Sequence, residues 1–354
     1  MTLARPSSPT TSTLMQQEAG EAGAVVSRFL SHNAAALAQL GERLRAAPPS
    51  LVVTCARGSS DHAATYAKYL VETGLGVPCV SAAFSTVSLY DAPVVTSGEG
   101  ALCLAISQSG RSPDMLSTVE RQKASGALVV ALVNDETSPL AAMADVVLPL
   151  RAGPEISVAA TKSYIVSLAG IAAIVAAWRG DADLQTALAA LPAQLDAAFQ
   201  LDWSPLAAGL VEAQNLFVIA RGFGLAIAQE AALKLKETSS LHGEAFSSAE
   251  VRHGPMAVVR AGFPVVAFAG EDAAGDDVRA LCADFAVRGA RVWLADSTGA
   301  IIEGVTSLPA LPARAELAPL LMISSFYRMA NALSLARGNN PDQPPYLAKV
   351  TRTR

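Results

Sequence analysis

Three stretches carry residue types whose spacing could do chemistry. The first runs from Ala101 to Asp114, ALCLAISQSGRSPD. An apolar run, Ala101 to Ile106, turns abruptly small and polar at Ser107, Gln108, Ser109, Gly110, Arg111 and Ser112. The run is too short for a typical helix and reads as a buried strand. Pro113 suits the first turn of a helix, and Asp114 suits the positive end of its dipole. A strand, a hydroxyl-rich loop and a helix N-terminus together make an anion cradle, with backbone N–H groups and serine hydroxyls as donors. A phosphate ester is the ligand such a cradle would hold. The loop is neither GxxxxGK[ST] nor GxGxxG, so alone it reads equally well as an ordinary turn with solvated serines.

The second stretch, Glu230 to Gly254, is EAALKLKETSSLHGEAFSSAEVRHG. Lys234, Glu237, His242, Glu244, Glu250 and His253 make it the densest set of proton-transfer groups in the chain. Lys234 and Glu237, three apart on a helical pattern, share a face. A carboxylate and an imidazole near one substrate can divide acid and base work. The plainer alternative is a solvated Lys–Glu pair with a capping or core histidine. The third stretch is the tail, NNPDQPPYLAKVTRTR, whose three prolines oppose a helix at its start. Lys349 sits there among Leu347, Ala348 and Val350. A partly buried lysine can attack a carbonyl; a surface lysine on a frayed tail is the bland reading.

The elements that must position these residues alternate. A Pro/Ser/Thr-rich start over residues 1 to about 13 is expected to be disordered. A helical pattern follows from Met15 to Arg45 and ends at Ala47-Pro48-Pro49. Strands are expected at Leu51–Ala56, Val77–Ala82, Ala101–Ile106, Ala127–Val133 and Asp145–Leu150, with helices between, including one from His62 to Thr73. Such alternation implies a parallel sheet covered on both faces. Ile165–Trp178 is apolar but short of the roughly 20 residues that span a bilayer, so it reads as a buried helix. Asp181 to about Leu201 is a more polar, helix-prone connection.

The second half repeats the first. Leu216-Phe217-Val218-Ile219-Ala220-Arg221-Gly222 echoes Val52-Val53-Thr54-Cys55-Ala56-Arg57-Gly58, 164 positions later. Gly289–Leu294 echoes Gly126–Ala131 at an offset of 163. Two matches at offsets that agree to within one residue indicate a duplicated α/β unit. The serine loop's counterpart, near Gly270-Glu271-Asp272, has gained acids that would repel phosphate.

With 354 residues, the chain can hold two domains. Hydrophobic residues reach 51%, charged ones only 16%, and the net charge is −5 with no Lys/Arg run. Nothing in that balance points to nucleic acid or an anionic membrane as partner. Cys55, Cys79, Cys103 and Cys282 lack CxxC or zinc spacing, which reads as reduced core cysteines in a cytoplasmic protein without a metal site. The N-terminus lacks the apolar core of a signal peptide.

Five motifs in order resemble the sugar isomerase (SIS) family: Ser107-Gln108-Ser109-Gly110, Val158-Ala159-Ala160-Thr161-Lys162, Ala232-Leu233-Lys234-Leu235-Lys236-Glu237, His253-Gly254-Pro255 and Leu347-Ala348-Lys349. Within it, the chain looks most like the isomerase half of glucosamine-6-phosphate synthase and stand-alone SIS-type deaminases and deglycases. The resemblance covers roughly residues 20–354. It implies an α/β fold of two tandem SIS domains, each a parallel sheet flanked by helices in a flavodoxin-like three-layer sandwich. The expected layout is a disordered start and helix over 1–45, domains over 46–190 and 200–338, and an active-site tail over 339–354.

The resemblance also assigns roles. Sugar phosphate would lie against Ser107, Gln108, Ser109 and Ser112, with Gly58, Ser59, Ser60, Val158 and Ala348 contributing. Glu237 matches the base that moves a proton between C1 and C2, Lys234 a supporting lysine, and Lys349 the tail lysine at the open-chain sugar. His253 matches a ring-opening histidine shared across a homodimer. No cofactor or metal is implied. Arg57 stands where the synthase has a small residue, and Arg111 replaces an acid. No cysteine follows Met1, so a glutamine-hydrolysing domain is not expected. The expected reaction is therefore glutamine-independent: glucosamine 6-phosphate to fructose 6-phosphate and ammonia. The alternatives are a fructosamine-type 6-phosphate deglycase, an aldose–ketose phosphosugar isomerase or, in another class, a non-catalytic sugar-phosphate sensor.

Overall fold

Short runs of Val, Leu, Ala and Cys, apolar on both sides, form the strands, because helices cover both faces of each sheet. The computed structural model describes residues 12–94 and 100–349. Its first half contains helices α1 (Leu14–Gly20) and α2 (Ala22–Ala46), then β1 (Leu51–Cys55), α3 (Ser59–Leu75), β2 (Cys79–Ser81), α4 (Phe84–Ser88), β3 (Ala101–Ser107), α5 (Pro113–Ala124), β4 (Leu128–Val133), α6 (Pro139–Met143), β5 (Val146–Pro149) and α7 (Lys162–Arg179). The five strands pair in parallel in the order β2-β1-β3-β4-β5, with Val53 opposite Cys103 and Leu104 opposite Val130.

α8 (Ala182–Phe199) and α9 (Ser204–Leu210) lead into the second half. It comprises β6 (Asn215–Ala220), α10 (Leu225–Ser239), β7 (His242–Ser247), β8 (Pro264–Ala269), α11 (Ala273–Val287), β9 (Arg291–Asp296), β10 (Val305–Leu308) and α12 (Ala318–Ala336). Its strands are also parallel, in the order β7-β6-β8-β9-β10. That is the first sheet's order repeated, as the sequence echo requires. The fold is thus two α/β flavodoxin-like sandwiches.

The inner faces of both sheets share one core, built from α2, α3, α7, α8, α10 and α12. Each sheet has its own smaller core on the outer face. In α7 every residue from Lys162 to Trp178 is buried. It is long and apolar enough to cross a membrane, but here it is the central core helix. Each fully buried Leu or Ile in it contributes about 1.5–3 kcal/mol. A Cβ on Gly170 would lie 2.9 Å from Leu132 and 3.0 Å from Phe29, so only glycine lets α2 and β4 approach this closely.

Several boundaries differ from the sequence reading. The single helix expected from Met15 to Arg45 is two, meeting at Glu21 beside Gly20, a poor helix former. The break coincides with Glu18 and Glu21 turning to the 155–162 loop, where Glu21 accepts from Lys162 Nζ at 2.7 Å. Most of the expected disordered start, residues 1–11, lies outside the described residues; Thr13 caps α1. α3 starts at Ser59 rather than His62, because Gly58 at φ +57° makes the turn by itself. The stretch read as a connection is the packed helix α8, which lies against α2 and α12. It bridges the expected domain limits at 190 and 200.

Candidate functional site

The polar ends of the first sheet's strands open into a cavity of about 360 Å³. Its floor is the serine loop. Ser107 Oγ accepts from Gly110 N at 2.9 Å and so curls the chain. Gly110 has φ +63°, and a Cβ there would meet Ser138 Oγ at 2.3 Å, so both conformation and space demand glycine. Ser112 is the N-cap residue of α5, yet its side chain makes no capping bond. Pro113 at the first position has no N–H and Asp114 Oδ1 accepts from Met115 N at 2.8 Å, so what α5 brings to Ser107, Gln108 and Ser109 is the positive end of its dipole and the Ser112 hydroxyl. Gly58, Ser59 and Ser60 bring the N-terminus of α3 to the same cavity.

The opposite wall comes from α10. Lys234 and Glu237, one turn apart, both line the cavity and are bonded to each other. The Lys234 side chain is 1% exposed and that of Glu237 20%. Behind them Glu230, fully buried, accepts from His62 Nδ1 at 2.9 Å and Tyr327 Oη at 3.1 Å, and lies 3.4 Å from Lys234 Nζ. Burial opposes the charge on Glu230, but Lys234, His62 and a hydrogen bond from Ser59 hold its carboxyl below the usual range. Burial likewise opposes the Lys234 ammonium; Glu230 and Glu237 overcome it and hold the amine above its ordinary value. Lys234 therefore stays charged and Glu230 stays a carboxylate.

The tail closes the cavity. Leu347, Ala348 and Lys349 line it, and Lys349 Nζ donates to Glu155 Oε2 at 3.0 Å and to the Ser157 carbonyl at 2.8 Å. Glu155 is fully buried and also accepts from Thr161 N at 3.0 Å, Ser163 N at 3.1 Å and Ser163 Oγ at 2.7 Å. Burial again acts against the charge, and Lys349 with these donors holds Glu155 below its ordinary value.

Every residue expected at the site except His253 lines this cavity: Gly58, Ser59, Ser60, Ser107, Gln108, Ser109, Ser112, Val158, Lys234, Glu237, Ala348 and Lys349. His253 ends a 3-10 turn over Glu250–His253 and is exposed, outside the cavity of its own chain. His242 and Glu244 lie exposed on the edge strand β7 and are not among the residues lining this cavity. Sequence reasoning missed Glu155, Ser163 and Tyr164, which also line the cavity, and Glu230 with its partner His62 behind it. Glu155 was visible only as a lone acid in RAGPEISVAATK; its partner Lys349 is 194 positions away. Arg111, flagged as a departure, pairs with Asp135 at 2.7 Å on the surface. The four cysteines are all buried. Burial pushes the thiols of Cys79 and Cys282 up to about 12, and the Cys103 contact, with burial, holds that of Cys55 well above its ordinary value.

Comparison with known proteins places both halves in context. The SIS domain model matches residues 49–177 and 209–301. The glutamine–fructose-6-phosphate aminotransferase (isomerizing) of Zymomonas mobilis is 32% identical over 313 residues, covering 84% of this chain and 51% of that protein. The chain spans about half the length of the curated relatives it matches. A candidate phosphosugar isomerase from Silicibacter pomeroyi has a crystal structure matching at TM-score 0.88 and 42% identity, over 94% of this chain and 100% of that one. The C-terminal domain of glucosamine-fructose-6-phosphate aminotransferase from Francisella tularensis matches at TM-score 0.83 and 26% identity, over 96% of this chain and 100% of that one.

Proposed function

The chain belongs to the SIS domain family, and from that premise we propose that it is a phosphosugar isomerase acting on an amino sugar. The reading rests on one observation above others: an anion cradle and a carboxylate–ammonium pair with a buried lysine line a single cavity. The phosphate of glucosamine 6-phosphate sits on the Ser107–Ser112 loop, and the open-chain sugar extends toward α10. Glu237 removes the C2 proton and returns it to C1. Lys234, bonded to Glu237, holds that carboxyl in position for the two transfers. The resulting ketimine takes up water across C2=N, and fructose 6-phosphate and ammonia leave. A positioned proton shuttle is worth about 10²–10⁴-fold, and anchoring the phosphate supplies the orientation. Lys349, tied to Glu155, packs the tail against the sugar's open-chain end.

His253 assists ring opening in the cavity of a neighbouring copy, within a homodimer. Mixing His253→Asn chains with Glu237→Gln chains should then restore activity that neither has alone; no recovery would remove the shared histidine.

The deciding assay incubates the protein with glucosamine 6-phosphate and follows ammonia and fructose 6-phosphate together. Release of both is the expected result. Turnover only of glycated-amine phosphates would make the enzyme a deglycase. Proton exchange at C2 without ammonia would leave a plain isomerase, and tight binding without any turnover a sensor.

A further inference from the structure

Three cations line the cavity: Arg57, Lys234 and Lys349. The two lysines are bonded to carboxylates, Glu237 and Glu155, that line it as well. Arg57 differs. Its partner, Asp114, is buried and not among the lining residues, so the group this pair presents to the cavity is the guanidinium, with the carboxylate behind it. Its side chain is also held in place. Nε and Nη2 donate to Asp114 Oδ2 at 3.2 and 2.8 Å, and the guanidinium lies 4.3 Å over the Phe84 ring. Asp114 is 1% exposed and belongs to the first turn of α5, whereas Arg57 precedes the first turn of α3. One side chain thus straddles the two helix N-termini that meet at the cavity. Both bonds use the Nε–Nη2 edge. The Nη1 edge has no bond among the described residues, and the side chain is 54% exposed.

The second half contains the same device in closed form. Arg221, 164 positions later, follows β6 and bonds Asp277 of α11 at 2.8 Å. Beside it the Asp272 side chain accepts from Gly275 N at 2.7 Å, capping α11. Arg221 and Asp272 line one small cavity of about 10 Å³. There the loop before the helix supplies a carboxylate, Asp272, that caps it next to the arginine. In the first half the corresponding loop has serines and the space is open.

We propose that Arg57 is an anion-binding, specificity-determining residue of the first half, which takes a phosphate oxygen on its free edge while Asp114 and Phe84 hold it extended. The proposal rests on the phosphate end of the function proposed above and is independent of the reaction at C1 and C2. A planar guanidinium fixed from behind offers charge-assisted bonds with little ordering left to do.

Calorimetry on the full chain tests it, with inorganic phosphate and glucitol 6-phosphate, an open-chain ester that cannot react, as probes. Arg57→Met, which keeps a flexible apolar stem but removes the guanidinium, should weaken both by about 10–100-fold, and Arg57→Lys should fall between. The salt dependence of binding should become shallower in Arg57→Met. The double variant Arg57→Met/Asp114→Asn should remain weak. Its return to wild-type affinity would mean that Arg57 only neutralises Asp114, and would overturn the proposal, as would Arg57→Met binding within twofold of wild type. Arg57-dependent binding without turnover of any phosphosugar would sink the reaction and leave this site standing. A wild-type chain that binds neither probe would sink both.

Discussion

The two halves share a strand order, an Arg-Gly turn after the first strand of each repeat and an arginine–aspartate clasp, yet they treat the same positions in opposite ways. After the third strand, one half carries Ser107–Ser112 around an open cavity, and the other carries Gly270-Glu271-Asp272 with its own carboxylate on the helix. The contrast reverses one helix earlier. Glu72 of α3 and Glu237 of α10 are counterparts, each with a lysine on its own helix. Lys68–Glu72, at 3.2 Å, is half exposed on both sides, a pair worth little. Lys234–Glu237 is screened from water and backed by Glu230. In the proposed enzyme each half supplies one of two tools, and on a common strand order the halves differ in burial, local charge and the loop after the third strand.

The sharpest way to break that comparison is to make the same change in both halves. Glu237→Gln should lower turnover about 10²–10⁴-fold, since it removes a proton shuttle, with glucitol 6-phosphate binding kept within a few-fold. Glu72→Gln should leave turnover unchanged. Steady-state kinetics with ammonia detection checks both. Equal effects, or an active Glu237→Gln, would end the division of labour.

A second change gives the first half the second half's acid. Ser109→Asp should weaken binding of glucitol 6-phosphate by about 100-fold or more, because a like charge facing a desolvated anion costs several kcal/mol. Thermal unfolding should move little, since Ser109 is on the cavity surface and in no core cluster. Retained affinity would show that the loop does not hold the anion.

A third, smaller effect concerns the seam between the halves. Glu230 links α10 to His62 of α3, and Glu155 links the loop before α7 to the tail. Both carboxyls titrate below their ordinary range in the folded chain. A lowered folded pKa gives stability that is fully present above the unfolded value of about 4.3 and is lost as pH falls through the folded one. Stability should therefore decline below about pH 5, and each tenfold drop in a carboxyl's proton affinity on folding is worth about 1.4 kcal/mol. Lys234 has the opposite sign: its raised pKa stabilises below the ordinary lysine value, and that contribution is lost only as pH rises through the raised one. Denaturant unfolding between pH 3 and 8 should show the acid decline, and Glu155→Gln should flatten it. An unchanged slope in that variant would mean that the tail clasp adds nothing.

How much of this was legible in the chain follows from the range of the forces involved. Strand positions were readable because a parallel strand buried on both faces must be apolar throughout, as Ala101–Ile106 and Leu128–Val133 are. The serine loop was readable because all its parts are contiguous, and the duplication because its offset recurs. What stayed hidden were partnerships over long separations. Glu155 meets Lys349 and Glu230 meets His62 only after both sheets have packed on the shared core. Nor could periodicity reveal that Lys234 and Glu237 are enclosed: their spacing is the same as that of a solvated pair. The α3 start was misjudged because Ser59 and Ser60 look like loop residues, while Gly58 at φ +57° completes the turn before them.

The smallest effect tests whether Asp272 is the second half's substitute for a ligand. As a cap it accepts from Gly275 N at 2.7 Å, and a Cβ on Gly275 would come within 2.0 Å of the Gly270 carbonyl, so loop and helix there are already in contact. That closeness leaves no room for a phosphate even without the carboxylate. Asp272→Ala should therefore cost about 1 kcal/mol of stability, the ordinary loss of a cap, and Asp272→Ser, which restores a capping oxygen, only a few tenths. Neither should change turnover or add a second phosphate site in calorimetry. A second binding event in Asp272→Ala would mean that the acid alone had closed this half, and that one substitution separates the two copies. Without one, the halves diverged in backbone as well as in charge, and the open cavity of the first depends on the shape that Gly110 and Ser107 impose on its loop.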